Sequence, residues 1–114
     1  MFIKKSIDEV KKEKVEVAEK TYIRWMLGPD DNVPNFYFRI FDVEPGGSSP
    51  YHKHDWEHEA FILEGKGFLK TEGGNIEFKK NDILFVPPNE MHQFVNNGDS
   101  LLRFICVIPK KGYK

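Results

Sequence analysis

The sequence predicts an all-β domain, a sandwich or small barrel led by one short helical turn. Three observations carry this. From residue 21 onward, apolar, β-branched and aromatic runs of about 5–8 residues recur at a spacing of about 8–12. Clusters of Gly, Pro, Asn and Asp separate those runs. The chain has 114 residues, 39% hydrophobic and 14% aromatic, which is the length of one domain and the aromatic content of an ordered core. Residues 1–114 are accordingly read as a single domain.

The elements follow in order. Ser6 and Glu9 have capping-box spacing, so a short helix is expected near residues 6–12. Val15 and Val17 then alternate with charged residues, which reads as strand. Strands are expected at 21–27, 35–43, 58–63, 67–71, 75–79, 82–86, 91–95 and 101–108. Gly73-Gly74 is a two-residue hairpin signal joining the fourth and fifth of these. Strand 35–43 carries Phe36 and Phe38 on one face and Tyr37 and Phe41 on the other. Such a strand must be covered on both sides. A second subunit would do this, making the chain a homodimer, and so would an irregular Phe-rich core.

Composition narrows the function classes. Lys and Arg total 17 against 18 Asp and Glu, a net charge of −1, and no basic block stands out, so nucleic acid is excluded as a partner. No apolar run approaches the length of a membrane span. Met1-Phe2-Ile3-Lys4-Lys5 runs directly into charged sequence, without the apolar stretch of a signal peptide. The single cysteine, Cys106, has no internal disulfide partner. A reducing, cytoplasmic compartment is therefore expected.

The histidines carry the chemistry. There are 4, at positions 52, 54, 58 and 92. His52, His54 and His58 have the same parity, so on extended chain their imidazoles leave one face. The segment from His54 to His58 is too short and polar for a helix, and a bent strand is expected. Side-by-side neutral imidazoles are the commonest protein metal ligands. His92 lies in a later strand, just after Pro87-Pro88-Asn89-Glu90.

Gly46-x5-His52-x-His54-x3-His58-x6-Gly65 resembles the first motif of the cupin superfamily, G-x5-H-x-H-x3/4-E-x6-G. Asn81-x5-Pro87-x-Asn89-x2-His92-x3-Asn96 has every spacing of the second, G-x5-P-x-G-x2-H-x3-N. The motifs, at 46–65 and 81–96, are 15 residues apart. The resemblance implies a cupin fold, a double-stranded β-helix of jelly-roll type. Asn81 and Asn89 replace two glycines, and asparagine tolerates the left-handed turns required. His58 stands where cupins usually carry a glutamate ligand. The longer spacing would select Glu59 instead, but adjacent strand residues face opposite ways, and parity with His52 and His54 favours His58.

The stretch is similar to the small tetra-histidine manganese cupins. That resemblance implies one divalent ion per chain held by His52, His54, His58 and His92, with manganese favoured; imidazoles accept Fe, Co, Ni, Cu and Zn as well. Four neutral ligands leave the ion's 2+ charge uncancelled, which favours anionic oxygen ligands. Proton competition for the ligands should begin as pH falls through about 6.5. Phe94 shares the parity of His92, and Leu102, Phe104, Cys106 and Ile108 share one face, which the resemblance turns toward the barrel interior. Cys106 is then a thiol near the metal or a small buried core residue. Arg39 holds an anionic substrate or a buried acid, or lies at the surface. Trp56 walls the entrance or anchors the histidine loop.

The leading expectation is a metal-dependent oxidoreductase, dioxygenase-like, activating O2 or peroxide against an apolar or phenolic small molecule. The alternative is a non-catalytic module that binds a small carboxylate or sugar through the metal. A metal-independent sugar isomerase or epimerase needs a His–acid pair rather than a ligand set.

Overall fold

The computed structural model describes residues 1–113. The eight apolar runs become strands β2 (Glu19–Leu27), β3 (Phe36–Ser48), β4 (His58–Glu64), β5 (Lys66–Thr71), β6 (Gly74–Lys79), β7 (Ile83–Val86), β8 (His92–Val95) and β9 (Leu102–Pro109), and a short charged strand, β1 (Glu13–Lys14), precedes them. They form one curled antiparallel sheet in the order β6-β5-β8-β3-β9-β4-β7, with β2 also on β3 and β1 on β2. Among the described residues no helix is long and apolar enough to cross a membrane.

Alternation decides which side chains enter the sheet's concave face. In β9, Leu102, Phe104, Cys106 and Ile108 are buried while the residues between them are half-buried. In β4, His58, Ala60 and Ile62 are buried in the same rhythm. All of these buried residues but His58 join Tyr37, Val43, Leu69, Phe78, Val86 and Phe94 in one core. Strand β3 crosses the middle of the sheet, and its neighbours β2 and β9 pin it electrostatically. Asp42, 2% exposed, accepts hydrogen bonds from Arg24 Nη1 at 2.9 Å and from Arg103 Nε and Nη2 at 2.7 and 3.0 Å.

Local expectations hold or shift for identifiable reasons. The helix expected near 6–12 is a single 3-10 turn, Ile7–Glu9, with the Ser6 amide donating to Glu9 Oε1 at 2.8 Å. Val15 and Val17 are not strand: Ala18 N–H bonds Val15 O at 3.1 Å, closing the turn between β1 and β2. Alternating valines and charges fit an exposed turn as well as a strand. Strand β3 extends to Ser48, beyond the expected 43. Its last residues pair with the chain after β8: Gly46 N–H bonds Asn96 O at 3.2 Å, and Asn96 N–H bonds Gly47 O at 3.0 Å.

Asn81 and Asn89 adopt left-handed backbone, φ 77° and 65°, at the two positions where they replace glycine. The Asn89 turn also joins the two motifs, because its N–H donates to His54 O at 2.7 Å. Asn96, 1% exposed, is a turn brace: its amide nitrogen donates to Val43 O and Ser100 O, and its oxygen accepts from Gly98 N–H.

Candidate metal centre

Three elements bring the histidines together. His58 opens β4 and His92 opens β8. His52 and His54 sit in the connection from β3 to β4, which is irregular rather than the bent strand expected. His52 alone is held by strand-like pairing, an isolated bridge to His92 with N···O distances of 3.1 and 2.9 Å. One residue of each motif is thus the backbone partner of the other.

The imidazoles converge. One ligand nitrogen each from His52, His54 and His92 lies within 4.8 Å of the others. His58 Nε2 lies 2.9 Å from His54 Nε2, and its ring centroid is 5.1 Å from that of His92. Two nitrogens bound to one ion at right angles, each about 2.1 Å from it, would be about 3.0 Å apart. Glu59, the ligand under the longer spacing, is exposed on the opposite face of β4.

Hydrogen bonds fix which nitrogen is free on two of the rings. His54 Nδ1–H donates to Trp56 O at 2.9 Å, and His92 Nδ1–H donates to Glu90 O at 2.8 Å. Both therefore present an Nε2 lone pair to the cluster. Trp56 stacks on the His54 ring at 3.5 Å and 7°, holding its plane. His92 Nε2 is fully buried and, among the described residues, has no hydrogen-bond partner. An orphaned buried acceptor is costly, and a cation in the cluster satisfies it. Two lone pairs at 2.9 Å repel, so a proton or a cation must lie between His54 and His58. The donor set therefore fits a divalent metal.

Electrostatics keep the rings neutral, as metal ligands must be. Burial pushes His52 down to about 4, helped by the charge His92 would carry. Burial together with the Arg39 guanidinium pushes His58 to about 2. His54 and His92 are also lowered, chiefly by burial.

The four histidines line a cavity of about 160 Å3. All of the sequence-selected pocket residues line it: Arg39, Trp56, Phe94, Phe104 and Cys106. Phe94 stacks on Phe104 at 4.5 Å, and Phe104 on Phe41 at 5.3 Å, making an aromatic wall. Arg39 is 8% exposed, and its guanidinium carbon lies 4.9 Å from the Phe41 ring centroid. Among the described residues it has no carboxylate partner. Its Nη2 donates to Cys106 Sγ at 3.0 Å and its Nε lies 3.4 Å from Cys106 O. Cys106 is 1% exposed, and burial raises its thiol pKa.

Sequence reasoning missed part of the lining. Phe41 and Val43 share the parity of Arg39 and could have been placed with it. Val15 and Ala18 arrive through the turn before β2, Thr21 from β2 itself, and Ser49 and Pro50 from the chain after β3, and no local pattern marks them.

The cupin domain model matches residues 39–108, which spans both histidine motifs. The chain belongs to the cupin family. This cupin is similar to the solved structure of the polyketide cyclase RemF from Streptomyces resistomycificus, at 34% identity and TM-score 0.89, covering 96% of this chain and 80% of that one. Among curated proteins it is 35% identical over 72 residues to an oxalate-binding protein of Thermotoga maritima, covering 62% of this chain and 60% of that protein. It is 31% identical over 74 residues to a gentisate 1,2-dioxygenase of Haloferax, covering 63% of this chain but 21% of the enzyme. The cupin thus matches about half of the first curated relatives, 60%, 52% and 45% of their lengths.

Proposed function

We propose that this cupin is a mononuclear metal-dependent oxidoreductase, dioxygenase-like, acting on an apolar or phenolic small molecule. One observation carries the reading: a single cavity joins a convergent imidazole cluster to an aromatic wall and, among the described residues, has no Asp or Glu in its lining. Such a lining offers no carboxylate as general acid or base, which argues against a sugar isomerase. A divalent redox ion would supply Lewis acidity and a binding place for O2 or peroxide. His52, His54, His58 and His92 would hold it; manganese is favoured by resemblance, and Fe, Co, Ni, Cu or Zn suit the same ligands.

The remaining residues orient the substrate and exclude water. An apolar cavity of about 150 Å3 holds a benzene ring, so the space here suits one aromatic ring beside Phe94 and Phe104. Arg39 Nη1 makes no hydrogen bond among the described residues. It is placed to hold an anionic oxygen such as a phenolate. Dioxygenases among the relatives are consistent with this chemistry.

The test is O2 or peroxide consumption by the metal-loaded protein against a panel of phenols and enolisable ketones. Turnover that His92→Ala abolishes is expected. A full panel without metal-dependent turnover would overturn the enzyme reading. A second reading is redox-neutral ring closure of a polyketone, favoured by the 34% identity to a polyketide cyclase over 96% of the chain. Turnover that persists without O2 or peroxide would select it.

A homodimer completes the reading. Cross-strand rows Phe38–Val107–Glu59–Phe85 and Ile40–Ile105–Phe61–Ile83 form the sheet's outer face. Ile83 is 74% exposed, Phe85 60% and Phe36 61%. With about 200 Å2 for a fully exposed aromatic side chain, these three alone present roughly 350 Å2, already the size of the largest apolar patch on a typical monomer. The half-buried Phe38, Phe61, Ile105 and Val107 add apolar area between them. A second copy of the same face is the matching occupant.

A further inference from the structure

The sulfur of Cys106 has no part in the chemistry proposed above, yet it touches both Arg39 and His58. Cys106 Sγ lies 2.9 Å from His58 Nδ1 and 3.0 Å from Arg39 Nη2. Arg39 Nη2 also lies 3.3 Å from His58 Nδ1. Register explains the meeting: Arg39 on β3 pairs with Cys106 on β9, and Cys106 pairs with Ala60 on β4, two residues from His58. All three side chains are at least nine-tenths buried.

The other rings of the site have a different support. His54 and His92 each donate Nδ1–H to a backbone carbonyl. His58 has no such carbonyl; the sulfur stands in its place. We propose that Cys106 and Arg39 are positioning residues for His58. The sulfur accepts the Nδ1–H, which leaves the Nε2 lone pair facing His54 and the cluster. Arg39 donates to the same sulfur and to Cys106 O, fixing the sulfur where His58 needs it. Without the sulfur, Arg39 Nη2 is the remaining partner of Nδ1. It can only donate, so the ring would shift its proton to Nε2 and lose its ligand lone pair.

This inference rests on the metal-site reading, and the experiment separates the two. Co(II) is the probe, read by calorimetric affinity and by its visible ligand-field spectrum. His58→Ala sets the signature of losing this ring. Cys106→Ala should weaken Co(II) binding about 10–100-fold, the usual effect of removing a partner of a ligating histidine, and shift the spectrum toward that of His58→Ala. Cys106→Ser, whose hydroxyl also accepts, should recover at least part of the affinity. Arg39→Met should follow Cys106→Ala; if it does not fold, the two Cys106 variants decide alone. Cys106→Ala binding within twofold of wild type with an unchanged spectrum would overturn the positioning role and leave the metal site standing. A Cys106→Ser variant no better than Cys106→Ala would overturn it too, as would a His58→Ala variant that binds like wild type. Wild-type protein that binds no Co(II) would overturn the metal site and this role together.

Discussion

At His92 two demands meet on one side chain. Its Nδ1–H is satisfied by Glu90 O, and its Nε2 is sealed from water with nothing to accept from. His92→Ala should reduce bound metal from near one ion per chain to a small fraction, measured by elemental analysis. The metal-free protein should lose little stability by comparison, because an unsatisfied acceptor leaves with the ring. The pH response follows from the same burial. Sequence alone places proton competition near 6.5, the value of a solvated imidazole. Burial moves His52 to about 4, so metal occupancy at saturating metal should persist well below pH 6.5. Stability without metal should behave differently. Between about 6.5 and about 4 the unfolded chain binds a proton at residue 52 that the folded chain refuses. Stability therefore rises with pH through this window, and melting temperatures of the metal-free protein should fall steadily on acidification across it.

At the scale of elements, the tie between β2, β3 and β9 at Asp42 is the clearest target. Burial alone would raise its carboxyl, but hydrogen bonds from Arg103 and Arg24 outweigh it and hold it below 3.8. That stabilisation is fully present above the unfolded value and is lost as pH falls below it and through the lower folded value. Asp42→Asn leaves two arginines without their counter-charge and should cost about 3 kcal/mol in denaturant unfolding. Gly65→Ala tests the turn from β4 to β5. Glycine sits there at φ +84°, and an added methyl would collide with Leu101 and Leu102 backbone. A loss of about 2 kcal/mol is expected. The strands were legible because apolar, β-branched and aromatic runs lie between turn-forming residues, and in Leu102–Ile108 buried residues also alternate with half-buried ones. What the sequence left open depended on distant pairing. Nothing local says that β3 continues past Val43, since the partner that extends it is Asn96, about 50 residues later. Likewise the sequence leaves Cys106 as a thiol near the metal or a small buried core residue, and only register sets it beside His58.

For the whole molecule, the outer face built by β3, β9, β4 and β7 should bring two copies together. Sedimentation equilibrium is expected to give a dimer, and Phe85→Lys with Ile83→Glu a monomer that retains its metal. Metal should also act on global stability. A ligand at 100 times its Kd stabilises by about 2.7 kcal/mol, which for a chain of this size raises the melting temperature by roughly 10 °C. The bridge between His52 and His92 gives this coupling a further meaning. An ion shared by these residues would fasten two points 40 positions apart that the backbone already brings into contact. It would act as a reversible clasp on the chain, closing the loop through β4, β5, β6 and β7 much as a covalent crosslink would. Metal removal should then be felt first as faster amide hydrogen exchange at His52 and His92, with the opening of this seam preceding any loss of the sheet itself.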